Sequence, residues 1–167
     1  MEAIIYFDMD GVLARWNASA SLEDTYQPGY FLERELEEKV ADLIKGLREK
    51  GYDVRILSAA YLEGSARKDK ILWLKKNGIE AEALFVPYGT NKADVAPAGQ
   101  HILIDDFSRN LREWEAAGHI GIKFRNGING TNGTWGGFSI DHRMTVEQME
   151  TIVSAVAEYA VRSMRRK

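Results

Sequence analysis

Cysteine is absent from this 167-residue sequence, proline occurs three times, histidine three times, and positive charge is not in excess. Without cysteine there is no disulfide framework, no thiolate zinc site and no thiol nucleophile, which fits a reducing, cytoplasmic setting. The three histidines, His101, His119 and His142, are scattered and show no metal-ligand spacing. Lys and Arg number 22 against 25 acids, a net charge of −3. Proteins that bind nucleic acid or anionic membranes broadly usually carry a basic excess, so neither stable nucleic-acid binding nor membrane association is expected. No apolar stretch reaches the ~18 residues that a spanning helix needs. The short apolar run ahead of Asp8 is interrupted by Asp8 and Asp10, unlike a signal peptide.

What remains is an ordinary globular composition, 45% hydrophobic and 28% charged, expected to form one domain over residues 1–167. A chain of this length buries roughly 68–70% of its unfolded surface and needs no staple. Apolar runs of strand length stand at Ala3–Phe7, Asp53–Leu57, Leu84–Val86 and His101–Ile104, with a weaker fifth at Ile120–Phe124. Runs without polar alternation suit strands covered on both faces, as in a parallel sheet. Helical spacing separates them. Leu32, Leu36, Val40, Leu43 and Leu47 predict a first long helix stopped at Gly51, and Ile71 to Lys75 predict a second ended by Asn77-Gly78. Ser108 is expected to cap a third helix over Arg109–Ala117, and Thr145 with Gln148 to form a capping box for a last one. This alternation implies right-handed βαβ units and a three-layer α/β, Rossmann-like domain. Two segments are irregular: residues 15–29, and the Gly/Asn-rich residues 126–137, whose Asn129-Gly130-Thr131 and Asn132-Gly133-Thr134 read as turns.

Open α/β sheets bind ligands beyond the carboxyl ends of their strands. The residues there are Asp8-Met9-Asp10-Gly11 after the first strand, Ser58 after the second, Lys92 after the third and Asp105-Asp106 after the fourth. Crowded carboxylates repel unless a cation lies among them. Oxygen ligands without a His or Cys cluster favour a hard ion, and Mg²⁺ is usual where phosphate also binds. A hydroxyl and an ammonium are what phosphoryl oxygens require. Setting the four acids aside leaves 21 acids against 22 bases, so the negative excess is assigned to one pocket.

The ordered set Asp8-Met9-Asp10-Gly11-Val12-Leu13-Ala14, Ser58, Lys92 and Ile104-Asp105-Asp106 resembles the four motifs of haloacid dehalogenase (HAD) superfamily phosphatases, spanning residues 3–124. Pro28-Gly29-Tyr30-Phe31, Leu103-Ile104-Asp105-Asp106, Asn110-Leu111, Trp114-Glu115, Gly118 and Gly121-Ile122-Lys123-Phe124 further resemble the 5′(3′)-deoxyribonucleotidase branch. The resemblance implies an aspartyl-phosphate on Asp8 and general acid–base work by Asp10. It implies Mg²⁺ held by Asp8, the Asp10 backbone carbonyl and Asp106, with Asp105 as an orienting neighbour. Gly11 would permit the tight turn, Ser58 and Lys92 would hold phosphoryl oxygens, and Lys70 would be a second phosphate ligand. The implied substrate is a small phosphomonoester, a nucleoside monophosphate above others.

Branch members often insert a helical bundle after the first motif, whereas residues 15–29 allow about one helical turn and a loop. So short a cap leaves another small phosphomonoester, or a polynucleotide end, as alternatives, and permits a homo-oligomer that completes the site. Trp16, Tyr30 and Phe31 are candidates for stacking on a base or for packing in the core, and Trp135 for an exposed role. The basic tail Arg162, Arg165, Arg166 and Lys167 complements a helix C-terminus. A signalling receiver domain gathers similar groups, but its lysine follows the acids in chain order. A silent binding module would have lost Asp8 or Asp10.

Overall fold

Alternating side chains along each central strand feed two separate cores, and this dictates a sheet covered on both faces. The computed structural model describes residues 2–129 and 135–166. Strands β1 (Ile4–Phe7), β2 (Asp53–Ala59), β3 (Glu82–Val86), β4 (Ile102–Asp105), β5 (Ile120–Arg125) and β6 (Phe138–Asp141) form one six-stranded sheet in the order β3-β2-β1-β4-β5-β6. Every neighbouring pair is parallel. Ile5, Phe7, Val54, Ile56, Ile102 and Ile104 point into a core shared with helices α2 (Glu38–Glu49), α3 (Ala66–Lys76) and α5 (Val146–Met164). Ile4, Tyr6, Leu57 and Leu103 point into the opposite core with Leu111 and Trp114 of α4 (Ser108–Ala116). Leu43, fully buried on α2, anchors the first of these cores, where truncation to Ala costs about 2–5 kcal/mol. This is the three-layer α/β architecture expected from the alternation.

Chain order places the site. From β1 the chain moves outward to β2 and β3, then crosses back to β4 on the other side of β1. The carboxyl ends of β1 and β4 therefore flank the point where the winding reverses, the position at which such sheets open a crevice.

Several boundaries differ from the sequence reading. The first long helix starts at Glu38, because Leu36 instead bridges Ala14 and Glu37 N donates to Leu13 O at 2.8 Å. Leu32 lies in a 3-10 turn, Tyr30–Glu33, though both leucines still pack on the core. Ser108 is the first residue of α4 rather than its cap, and its hydroxyl accepts from Lys123 Nζ at 2.7 Å. Strand β6 was not expected: four residues with one buried side chain, Ile140, give too weak a period. The Thr145–Gln148 capping box is present. Trp135 is buried at 8% exposure and donates Nε1–H to Phe138 O, because Gly121 and Gly137 leave room for its ring. It is a core residue, not an exposed one. Arg162, Arg165 and Arg166 are exposed, whereas Lys167, Gly130, Thr131 and the Asn132-Gly133-Thr134 turn lie outside the described residues.

The short insertion contains one turn, α1 (Leu22–Thr25), capped reciprocally by Ser21 and Asp24. It is tied to α3 through Asp69, whose Oδ2 accepts from Gly29 N at 2.9 Å and from Ser65 Oγ at 2.8 Å.

Candidate active site

Asp8 leaves β1 still bound to its neighbour, its N–H donating to Ile104 O at 2.9 Å. The chain then reverses: Val12 N and Ala14 N both donate to Met9 O, and Gly11 takes φ +83°. Only glycine suits this turn. A Cβ on Gly11 would stand 2.1 Å from Asp106 Oδ2, so the left-handed conformation and the close approach of Asp106 both require its absence.

Two buried lysines divide the acids between them. Lys92 Nζ lies 2.9 Å from Asp8 Oδ1 and 2.7 Å from Asp105 Oδ2. Burial pulls its ammonium down, but Asp105 and then Asp8 outweigh that and hold it above its ordinary value. Lys70 Nζ donates to Asp10 Oδ2 at 2.5 Å, Ser58 Oγ at 3.1 Å and Ala59 O at 2.6 Å, and sits 4.4 Å from the centre of the Phe31 ring. With its donors taken, Lys70 holds Asp10 instead of facing the open cavity.

Asp105 is well supplied with donors. Its Oδ1 accepts from Phe107 N at 2.8 Å, and its Oδ2 from Lys92 and from Asn110 Nδ2 at 3.0 Å. Asp106 differs, since among the described residues its Oδ2 receives one long contact, 3.4 Å from Asn126 Nδ2. Burial, then Asp8 and Asp105, push the Asp106 carboxyl well above the usual carboxylate range. Burial likewise pushes Asp8 up to about 7 against the opposing pull of Lys92. Four acids against two ammonium groups leave a surplus of negative charge, and oxygens of Asp8, Asp105 and Asp106 lie within 4.8 Å of one another. Such a set suits a hard divalent cation.

A cavity of about 470 Å³ opens over these groups, with Asp8, Asp10, Lys92 and Asp106 in its floor. Trp16, Tyr88, Phe107 and Ile128 stand at its rim, between 39% and 58% exposed. A polar cleft of about 730 Å³ adjoins it and shares Trp16, Asn126 and Ile128. The site brings together Asp8, Asp10, Lys92, Asp106 and Trp16, and keeps Ser58, Lys70 and Asp105 beneath them. Tyr30 and Phe31, by contrast, are buried at 9% and 3% exposure in a small cluster with Ala66. As base-stacking candidates they are corrected to core residues, because Lys70 and Arg34 occupy their ring faces. Tyr88, Phe107, Arg109 and Asn126 line the cavity unforeseen. Asn126 follows β5, so the strand-end rule that found the acids would have found it had the fifth strand been read as firmly as the others.

No family model matches the sequence, and no curated protein matches it. Solved structures do match in shape. The HAD domain of the effector protein Lem4 from Legionella pneumophila, an inactive mutant, aligns over 97% of both chains with a TM-score of 0.52 and 13% identity. The fold is HAD-like. A D,D-heptose 1,7-bisphosphate phosphatase from B. bronchiseptica, complexed with magnesium and phosphate, covers 89% of this chain and 98% of its own at TM-score 0.63 and 14% identity. A chain of the Pnkp1/Rnl/Hen1 complex matches over 74% of this sequence, at TM-score 0.57 and 20% identity. This chain spans only 46% of that one.

Proposed function

We propose that this chain is a Mg²⁺-dependent phosphomonoesterase working through an aspartyl-phosphate on Asp8, with nucleoside monophosphates as substrates in the manner of a 5′(3′)-deoxyribonucleotidase. The convergence of Asp8, Asp10, Lys92 and Asp106 on one cavity at the reversal point of the sheet carries this reading. Asp8, Asp106 and the Asp10 carbonyl would hold the ion, and Asp105, already bonded to Phe107 N, Lys92 and Asn110, would orient its neighbours. When bound, Mg²⁺ supplies charge that offsets repulsion between a carboxylate nucleophile and a phosphate dianion.

The protein's own groups perform the remaining steps. A carboxylate oxygen of Asp8 forms a bond to phosphorus while the bond to the ester oxygen breaks, and Asp10 delivers a proton to the departing alkoxide. Asp10, then a carboxylate, takes a proton from water as that water attacks the phosphorus, freeing inorganic phosphate and restoring Asp8. Lys92, 2.9 Å from Asp8, would neutralise phosphoryl oxygens, and Ser58 would contribute a hydroxyl from below. The substrate is a small phosphorylated molecule in this reading. A polynucleotide end is the second reading, favoured by an insertion that forms one helical turn and leaves the rim aromatics exposed.

Phosphate release with Mg²⁺ from nucleotides, sugar phosphates, a phosphorylated oligonucleotide and a generic aryl phosphate tests both. Asp8→Asn is expected to lower turnover by at least about a thousand-fold, as for other nucleophiles. Near-wild-type turnover in that variant would refute the nucleophile assignment, and activity on the aryl phosphate alone would refute the nucleosidic substrate.

A further inference from the structure

Three tyrosines from separate parts of the chain form a ladder beside the catalytic cavity. Tyr26 follows α1, Tyr61 follows β2 and Tyr88 follows β3. The Tyr26 and Tyr61 rings stack at 4.4 Å with 24° between their planes, and Tyr61 and Tyr88 lie 4.6 Å apart at 41°. Burial would ordinarily draw such rings inward, yet Tyr26 is 59% and Tyr88 47% exposed, and Leu62 beside them is 84% exposed. With Pro87 they wall a cavity of about 510 Å³.

This cavity adjoins the catalytic one, and Tyr88 lines both. The Tyr88 ring is 5.9 Å from the Lys70 ammonium that holds Asp10, so the ladder begins one side chain from the proposed acid–base group. Glu63 is the one formally charged side chain among the described residues lining it. An apolar, aromatic wall with so little charge suits an uncharged planar group and gives no reason for a second phosphate to settle there. A ligand anchored by phosphate at Asp8 and extending past Tyr88 therefore presents a flat ring to this wall.

We propose that the tyrosine-walled cavity is a second-base subsite, which takes the nucleobase next to the terminal nucleotide of a single-stranded polynucleotide whose end phosphate lies at Asp8. The proposal rests on the phosphomonoesterase reading and makes an oligonucleotide end a better substrate than a free mononucleotide. Stacking accepts any base, because each presents a π-face. Contact limited to two nucleotides also agrees with a net charge of −3, which does not suit holding a long polyanionic tract.

The test compares dinucleotides carrying a terminal phosphate with counterparts abasic at the second position, as DNA and RNA and with the phosphate at the 3′ or the 5′ end. An intact second base should lower KM by about five- to 150-fold, and Tyr26→Ala should bring the ratio of intact to abasic KM towards one. Equal KM for the intact and abasic substrates would overturn the subsite and leave the ladder as a clamp on the insertion. If no substrate, aryl phosphate included, releases phosphate, the phosphomonoesterase reading fails separately. Fluorescence anisotropy of labelled dinucleotides then decides the subsite: weaker binding of the abasic form supports it, and equal binding overturns it.

Discussion

The ammonium of Lys70 lies 2.5 Å from a carboxylate oxygen of Asp10, although sixty residues of chain separate the two. Lys70 is fully buried while Asp10 keeps an edge to the cavity, with 16% of its side chain exposed. One charge thus ties α3 to the turn after β1, to the end of β2 through Ser58 and Ala59, and to the 3-10 turn Tyr30–Glu33 through the Phe31 ring. A lysine placed so deeply is retained only where its partners compensate the loss of water.

Replacing this lysine with an apolar side chain of similar length should therefore disturb both stability and turnover. Lys70→Met leaves Asp10 and Ser58 without their donor, and a cost of about 1–3 kcal/mol is expected from the unpaired groups. Urea unfolding and kcat on an aryl phosphate check this together. A variant with wild-type midpoint and wild-type kcat would show that Asp10 is positioned without Lys70.

Asp106 makes the opposite prediction. Its carboxylate is crowded by Asp8 and Asp105 and has little donor support, so neutralising it relieves repulsion. Asp106→Asn should melt at a higher temperature than the wild type in EDTA. Mg²⁺ at a hundred times its Kd should stabilise the wild type by about 2.7 kcal/mol and the variant hardly at all. Equal Mg²⁺-induced shifts in the two proteins would remove Asp106 from the ion's ligands.

Gly11 is the tightest steric point of the site. Gly11→Ala requires a side chain at φ +83° and a Cβ 2.1 Å from Asp106 Oδ2. A loss of about 1–3 kcal/mol from backbone strain is expected, together with weaker Mg²⁺ binding as Asp106 is displaced. Thermal melts with and without Mg²⁺ measure both, and an unshifted melt would contradict the contact.

Two histidines remote from the site should lower stability on mild acidification, against Asp8 and Asp106, whose raised carboxyls take up protons in the folded chain and act in the other direction. His101 Nδ1 accepts from Ile4 N at 3.1 Å, and His119 Nδ1 accepts from His101 N at 3.3 Å, so both nitrogens must be unprotonated. Burial holds both imidazoles below their ordinary pKa. The unfolded chain takes up these protons near pH 6.5 while the folded chain resists. The stabilisation is thus complete above that value and is lost as pH falls below it towards the depressed folded values. Asp141, held down to about 2 chiefly by its hydrogen bond from Arg143, keeps its stabilisation throughout this window and loses it only as pH falls below the ordinary carboxylate range. Urea midpoints at pH 7.5 and 5.5 are the measurement, and on acidification a His101→Gln, His119→Gln variant should lose less stability, or gain more, than the wild type. The same midpoint change in both proteins would show that the two rings contribute nothing to it.

Local pattern was sufficient for much of this. The apolar runs identify β1, β2, β4 and β5 because a strand buried on both faces needs no alternation, and the Thr145–Gln148 pair marks the start of α5 because a capping box is a short-range device. Asp8 and Asp106 are legible because each follows a strand directly, and Asp10 and Lys92 because they lie in the segments that leave β1 and β3. β4 runs one residue past its expected end, to Asp105, and β2 two residues past, to Ala59, so Asp105 and Ser58 lie within their strands rather than after them. Trp135 departs from its expected exposure, and Tyr30 and Phe31 take the core alternative of the two that the sequence leaves open, because neighbours in sequence do not reveal whether a ring meets solvent or a distant helix.

The sequence by itself determined the layered α/β class and the set of acids and lysines, since these depend on periodicity and on residues fixed relative to strand ends. Tertiary structure alone sets which lysine holds which acid, why Asp105 is rich in donors while Asp106 is poor in them, and that Tyr26, Tyr61 and Tyr88 share one wall. Those outcomes depend on distances across tens of residues, and only the closed sheet with its docked helices sets them.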